Sequence, residues 1–214
     1  MSKQIFKLVA AIATVIAFTV APLNALAVQT PSEGVASPGA SPTPAVGIAL
    51  ILPDEEQVPT GLVIIDDGER TLSDVTDGFT DPDETSDMFE EWGWERNVIR
   101  AFHTPADATA DPEEVDGIYI SVHEFGSPDA AAEALDYSVE VHLGDIALAE
   151  QDHEELGETS TVLFGEQPYG NEITIYVQQG DALIRLSASS PEGDPTEEAI
   201  ALMEWMIEQA QLDQ

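Results

Sequence analysis

Short apolar runs separated by polar breaks recur along this chain, and their spacing predicts its elements. Gly47 to Leu52 and Gly61 to Ile65 have the length of strands, although the first also fits a helical turn. Asp81-Pro82 reads as a helix start, an acid at the cap followed by proline at the first helical position. Met88, Phe89 and Trp92 then share one helical face, and Gly93 is placed to end it. Trp94 to His103 reads as a strand, with Val98, Ile99 and Phe102 available for burial.

The clearest strand is Gly117 to Phe125, in which Ile118, Ile120 and Val122 alternate with Tyr119, Ser121 and His123. Ser127-Pro128-Asp129 caps a following helix whose Ala131, Leu135, Ser138 and His142 share a face, and Gly144-Asp145 breaks it. Leu148 to Glu155 fits no single template, whereas Thr159 to Gly165 resembles a strand. Ile173 to Gln178 and Leu183 to Ser189 form a hairpin around Gln179-Gly180-Asp181. Asp194-Pro195-Thr196 opens a last helix, with Glu197 and Glu198 at its positive end and a buried stripe of Ala199, Met203, Met206, Ile207 and Ala210. Hairpin-paired strands with a few helices across one face predict a single α+β domain with a mainly antiparallel sheet.

Upstream of that domain the pattern changes. Lys3 and Lys7 precede an uncharged apolar run from Leu8 to Val20, and Ala25-Leu26-Ala27 supplies small residues where a signal peptidase reads. That order predicts a secretory signal over 1–27, cleaved after Ala27. The alternative is a membrane anchor, but the run falls short of the roughly 20 residues a spanning helix needs. No cysteine follows, so acylation as a lipoprotein is closed. Residues 28–45 are rich in Pro, Ser, Ala and Gly and read as a flexible linker, leaving 46–214 as the folded domain. The expected protein is secreted or otherwise extracytoplasmic, with no membrane insertion after cleavage.

Charge narrows the field of partners. Six basic residues face 42 acidic ones, a formal net charge of −36, and both lysines lie in the expected signal. The remaining cations are Arg70, Arg96, Arg100 and Arg185. Nucleic acid is excluded as an unassisted partner, since there is little to neutralise phosphates. Such self-repulsion weakens a compact state at low salt and keeps it soluble at high salt, where the Debye length shrinks to about 3 Å at 1 M. Adaptation to a saline habitat and plain secreted acidity both fit. With no cysteine, an apolar core must hold the fold without disulfides.

Candidate chemistry is sparse. His103, His123, His142 and His153 form neither HxxxH nor HExxH, so zinc is not expected. Asp81, Asp83 and Asp87, with Asp77 and Glu84, form an acidic stretch that could ligate calcium, the one cofactor left open. Counted from Asp81, however, the sixth position is Ser86 and the twelfth is Trp92, which breaks the EF-hand pattern, and acids are expected at helix starts anyway. Asp107, Asp111, Glu113, Glu114 and Asp116 make a second such stretch. No nucleophile elbow, P-loop or dinucleotide fingerprint occurs. The remaining lead is aromatic: Trp92 and Trp94 flank a helix-to-strand turn, with Arg96 and Arg100 on one side of the strand that follows. These four fit a binding rim, because Trp and Arg dominate hot spots, but fit better a core plug with arginines paired to nearby acids.

The segments 119-YISVHEFGSPDAAAEAL-135 and 173-ITIYVQQGDALIRLSASSPEGDP-195 resemble a type of secreted bacterial α+β domain. In it a strand runs through Ser-Pro-Asp into an alanine-rich helix, and a late hairpin precedes a closing helix. Such domains are found in extracytoplasmic lipoproteins and kinase sensors, some of PsbP/Mog1-like fold. The resemblance implies a fold and a compartment, and transfers no catalytic residue. The expected function is a secreted, non-catalytic binding or interaction module for a small ligand or an envelope or secreted protein. A secreted hydrolase with a carboxylate-based or calcium-assisted site is the alternative, and a purely structural envelope protein a third.

Overall fold

The computed structural model describes residues 47–108, 111–145 and 148–212. The expected signal segment and the whole linker lie outside them. Contacts divide the chain into Met1–Pro42 and Thr43–Gln214, and the second unit holds every element described below.

A short 3-10 helix, Gly47–Ile51, is followed by β1 (Val63–Arg70), α1 (Leu72–Thr76), α2 (Pro82–Glu91), β2 (Arg96–His103) and β3 (Gly117–Glu124). Then come α3 (Pro128–Asp145), β4 (Ala149–Gln151), β5 (Thr159–Gln167), β6 (Gly170–Gln179), β7 (Ala182–Ser190) and α4 (Thr196–Leu212). The strands form one seven-stranded sheet in the order β1-β2-β3-β7-β6-β5-β4. Every neighbouring pair is antiparallel. The expected α+β class, sheet type and late hairpin are all present. The ambiguous stretch after α3 contains the short edge strand β4, and Gly47–Ile51 takes the helical option rather than the extended one.

Strand alternation sends two different side-chain sets to the two faces. On one face Val98, Ile120, Val122, Ile175, Ile184 and Leu186 form the main core with Ala199, Met203 and Met206 of α4. The other face carries a smaller cluster in which Leu163, Tyr176 and Leu183 meet Phe89 of α2 and Ala131, Ala134 and Leu135 of α3. The helices therefore divide between both faces, which corrects the single covered face read from the sequence: both sides of the sheet carry apolar residues that need cover. Strand β6 is buried almost without a break, Thr174 and Gln178 included, because it lies mid-sheet and is covered on both faces.

Local chemistry sets the ends of α2. The Asp81 carboxylate accepts from the Glu84 amide at 3.2 Å, which satisfies an otherwise orphaned donor. At the other end Gly93 takes φ +70°. Its amide reaches the Glu90 carbonyl at 3.0 Å and the Trp94 amide the Phe89 carbonyl at 2.8 Å. That is the Schellman pattern, and it turns Trp94 back toward the sheet. The turn after β7 depends on a different glycine. A Cβ on Gly193 would lie 1.9 Å from the Glu113 carbonyl oxygen, while the Glu192 amide already donates to the Pro112 carbonyl at 2.8 Å. Gly193→Ala is expected to push these two loops apart and cost about 1–3 kcal/mol, as overpacking does. Urea unfolding of the variant checks it; an unchanged midpoint refutes the close approach.

Candidate functional site

One face of the sheet is roofed only at its sides. Helix α1 packs on β1 and β2, and α3 packs on β6 and β7. Between them, over β3, lies a cleft of about 420 Å³. Register explains its floor. Arg70 pairs with Asn97, Asn97 with His123, Ser121 with Arg185, and Arg185 with Tyr176. These residues lie side by side on one face of five strands, so polar groups far apart in the chain become neighbours. The walls are Val75, Phe79, Phe89, Val141 and Leu183, with His142 reaching in from α3.

The hydrogen bonds on this floor have a fixed direction. Trp94 Nε1 donates to His123 Nδ1 at 3.2 Å. An indole can only donate, so Nδ1 is unprotonated and the neutral ring carries its proton on Nε2. That nitrogen lies 3.0 Å from Ser121 Oγ, which therefore accepts. Asn97 Nδ2 donates to the same oxygen at 2.8 Å and to the Val122 carbonyl at 3.0 Å. A carbonyl only accepts, which fixes the amide's orientation. Ser121 Oγ thus accepts twice, and its own proton is left to donate.

Ser121 and His123 stand at the spacing of a nucleophile and its base, but the proton is on the wrong side. A base must receive the serine proton on Nε2, which here already holds one. Desolvation, with the Arg185 charge second, pushes His123 down to about 3. Such a ring is a poor proton acceptor near neutrality, and it orients the serine instead of activating it.

His142, 7 % exposed, is likewise pushed down to about 4 by desolvation and then by Arg185. Its Nδ1 lies 2.8 Å from the Tyr176 hydroxyl, whose proton is held more tightly than usual because the ring is buried. Three groups lining the cleft carry a buried polar atom without a hydrogen-bond partner: Asn97 Oδ1, His142 Nε2 and Arg185 Nε. Each such atom costs about 1–3 kcal/mol. Of the four such side-chain atoms among the described residues, three belong to this one cleft.

The residues singled out from sequence lie elsewhere. Trp92 and Trp94 are half-buried against the smaller core cluster, and Trp94 touches the site through its bond to His123. Arg96 and Arg100 project with Val98 and Phe102 toward the opposite face. Arg96 pairs with Glu124 at 2.8 Å and Glu69 at 3.9 Å. Arg100 pairs with Asp54 at 2.8 Å and Asp67 at 2.9 Å. The four are not gathered around one cavity. Asp81 caps α2, and Asp83 and Asp87 are exposed on the same helix. Among the described residues no three acidic or histidine side chains converge to hold a metal ion. No described helix is long and apolar enough to cross a membrane.

Fold and cleft together define an α+β domain with one sheet, helices on both faces and a polar-floored cavity open on one side. The chain is similar in fold to the extracellular domain of PknH from Mycobacterium tuberculosis. The TM-score is 0.53 at 10 % identity, over 77 % of this chain and 94 % of that one. No protein-family model matches the chain, and no curated protein sequence is detectably similar.

Proposed function

We propose that this chain is an extracytoplasmic, non-catalytic binding module whose ligand enters the cleft over β3. The observation that carries the reading is the cleft floor, where Asn97 and His142, both more than nine-tenths buried, keep polar atoms unpartnered. Buried polar groups are retained unsatisfied where they serve something other than stability. The likeness to an extracellular domain supports the compartment, as does the expected N-terminal signal, and a PsbP/Mog1-like kinship belongs to the same proposal. The proton arrangement of Ser121 and His123 weighs against a serine nucleophile in the cleft, and a carboxylate-based or calcium-assisted hydrolase stays the alternative.

Native mass spectrometry of the protein collected from its host's medium or envelope tests the proposal. A reproducible added mass is expected, and Ser138→Trp, which fills the cleft from α3, is expected to abolish it. A bare mass for the wild-type chain, or an adduct indifferent to that variant, refutes carriage in the cleft.

A further inference from the structure

Resting on that reading of the cleft, we infer that its ligand is a small organic acid whose carboxylate sits on the Arg185 guanidinium and the Ser121 hydroxyl. The chain has four arginines outside its first 27 residues and 42 acids to pair them with. Arg70, Arg96 and Arg100 each lie within 4 Å of a carboxylate. Arg185, in the middle of the sheet, makes no ion pair among the described residues. Its guanidinium instead lies 5.5 Å from the centroid of the Tyr119 ring and 5.8 Å from that of Tyr176. It donates to Ser187 Oγ at 3.3 Å, and its Nε has no acceptor. Glu172, on the same face of β6, is engaged by the Tyr169 hydroxyl and by Thr174. A chain so rich in acids has left its mid-sheet arginine without one, directly beneath a cleft.

Ser121 stands opposite Arg185 across the β3–β7 pair. With both its acceptor sites filled by Asn97 and His123, the hydroxyl offers only its proton. A planar guanidinium beside a hydroxyl donor matches the two oxygens of a carboxylate. Apolar walls from Val75, Phe79, Val141 and Leu183 suit a carbon skeleton rather than a bare inorganic ion. A monoanion is also favoured over a dianion, since the other arginine lining the cleft, Arg70, is already paired with Asp66, and the chain's net −36 repels any excess charge.

The test uses the purified full chain in about 0.15 M NaCl, near the physiological Debye length. Calorimetric titration compares benzoate and mandelate with benzamide and mandelamide, and with inorganic phosphate. Each carboxylate is expected to bind at least tenfold more tightly than its amide. Arg185→Gln should erase that preference, while Arg100→Gln, outside the cleft, should preserve it. Amide and acid binding alike would overturn the anion assignment and leave the cleft as a ligand site. Phosphate binding more tightly than either acid would overturn the carboxylate. Absence of binding by both acids overturns the inference, while an adduct from the host would still uphold the cleft. The acid-to-amide comparison needs only the wild-type chain, so it stands even if Arg185→Gln fails to fold.

Discussion

Phe89→Ala is expected to destabilise the protein by about 3–5 kcal/mol, the range for truncating a buried Phe to Ala. The ring is 1 % exposed and is the hub of the smaller core. It meets Phe79 at 5.9 Å, Trp92 at 5.7 Å, Phe125 at 5.7 Å and His123 at 6.1 Å between centroids. Three of these contacts are edge-on or nearly so, the geometry in which aromatic pairs add to simple burial. Domains of this kind have only about 5–15 kcal/mol to lose, so the variant should be marginal. Urea unfolding reads the effect directly, with Glu90→Ala, exposed on the same helix, as the control expected to stay within about 0.5 kcal/mol. Phe89 also walls the cleft, so the variant should lose ligand retention even where it remains folded. A midpoint close to wild type would mean that α2 does not close the smaller core.

Stability should fall by roughly 2–4 kcal/mol between pH 7 and pH 5, at about 1.4 kcal/mol per unit of pKa separation. The cause is the pair of histidines held neutral inside the fold, His123 at about 3 and His142 at about 4. In the unfolded chain both take up protons as pH falls through about 6.5. The folded chain takes none up until far lower, so the unfolded state binds more protons across that window. Their contribution is therefore complete above about 6.5 and is lost as pH falls toward 4 and below. Desolvation is the larger cause for each, and Arg185, the cation facing both from β7, opposes a second positive charge. Carboxylates act in the opposite sense, because protonating them relieves self-repulsion. Working at about 1 M NaCl, where the Debye length is about 3 Å, separates the two effects. His142→Gln should flatten the pH slope by about half. Equal unfolding midpoints at pH 7 and pH 5 in the wild-type chain would refute buried neutral histidines.

Both predictions turn on residues whose strand or helix periodicity is visible in the sequence but whose neighbours are not. Tyr119, Ser121 and His123 are legible as the polar side of a strand in GIYISVHEF. In a two-layer domain that side would face water. Here β3 lies in the sheet interior between β2 and β7, and α1 and α3 rise on either side of its polar face. Polar residues on a strand flanked by apolar strands were the available signal for the cleft. Trp92, Trp94, Arg96 and Arg100 drew attention because they are close in sequence. Alternation along β2 then carries both arginines to the far face, where acids hold them.

The sequence by itself determined everything that local chemistry controls. Asp81-Pro82 and Gly93 set the ends of α2, Gly180 the hairpin turn, and the apolar stripe of α4 its buried face. These depend on backbone preference and on periods of two or 3.6 residues, which act within a few positions. The short helix α1 escaped notice despite its capping box between Thr71 and Asp74, because five residues are too few to show a period. Only the tertiary structure decided which strands adjoin. Pairing β3 with β7 sets Ser121 against Arg185, and pairing β2 with β3 sets Asn97 against His123. Whether an arginine finds a carboxylate, or a serine proton an acceptor, depends on such long-range neighbours, and no count of charges along the chain reveals it.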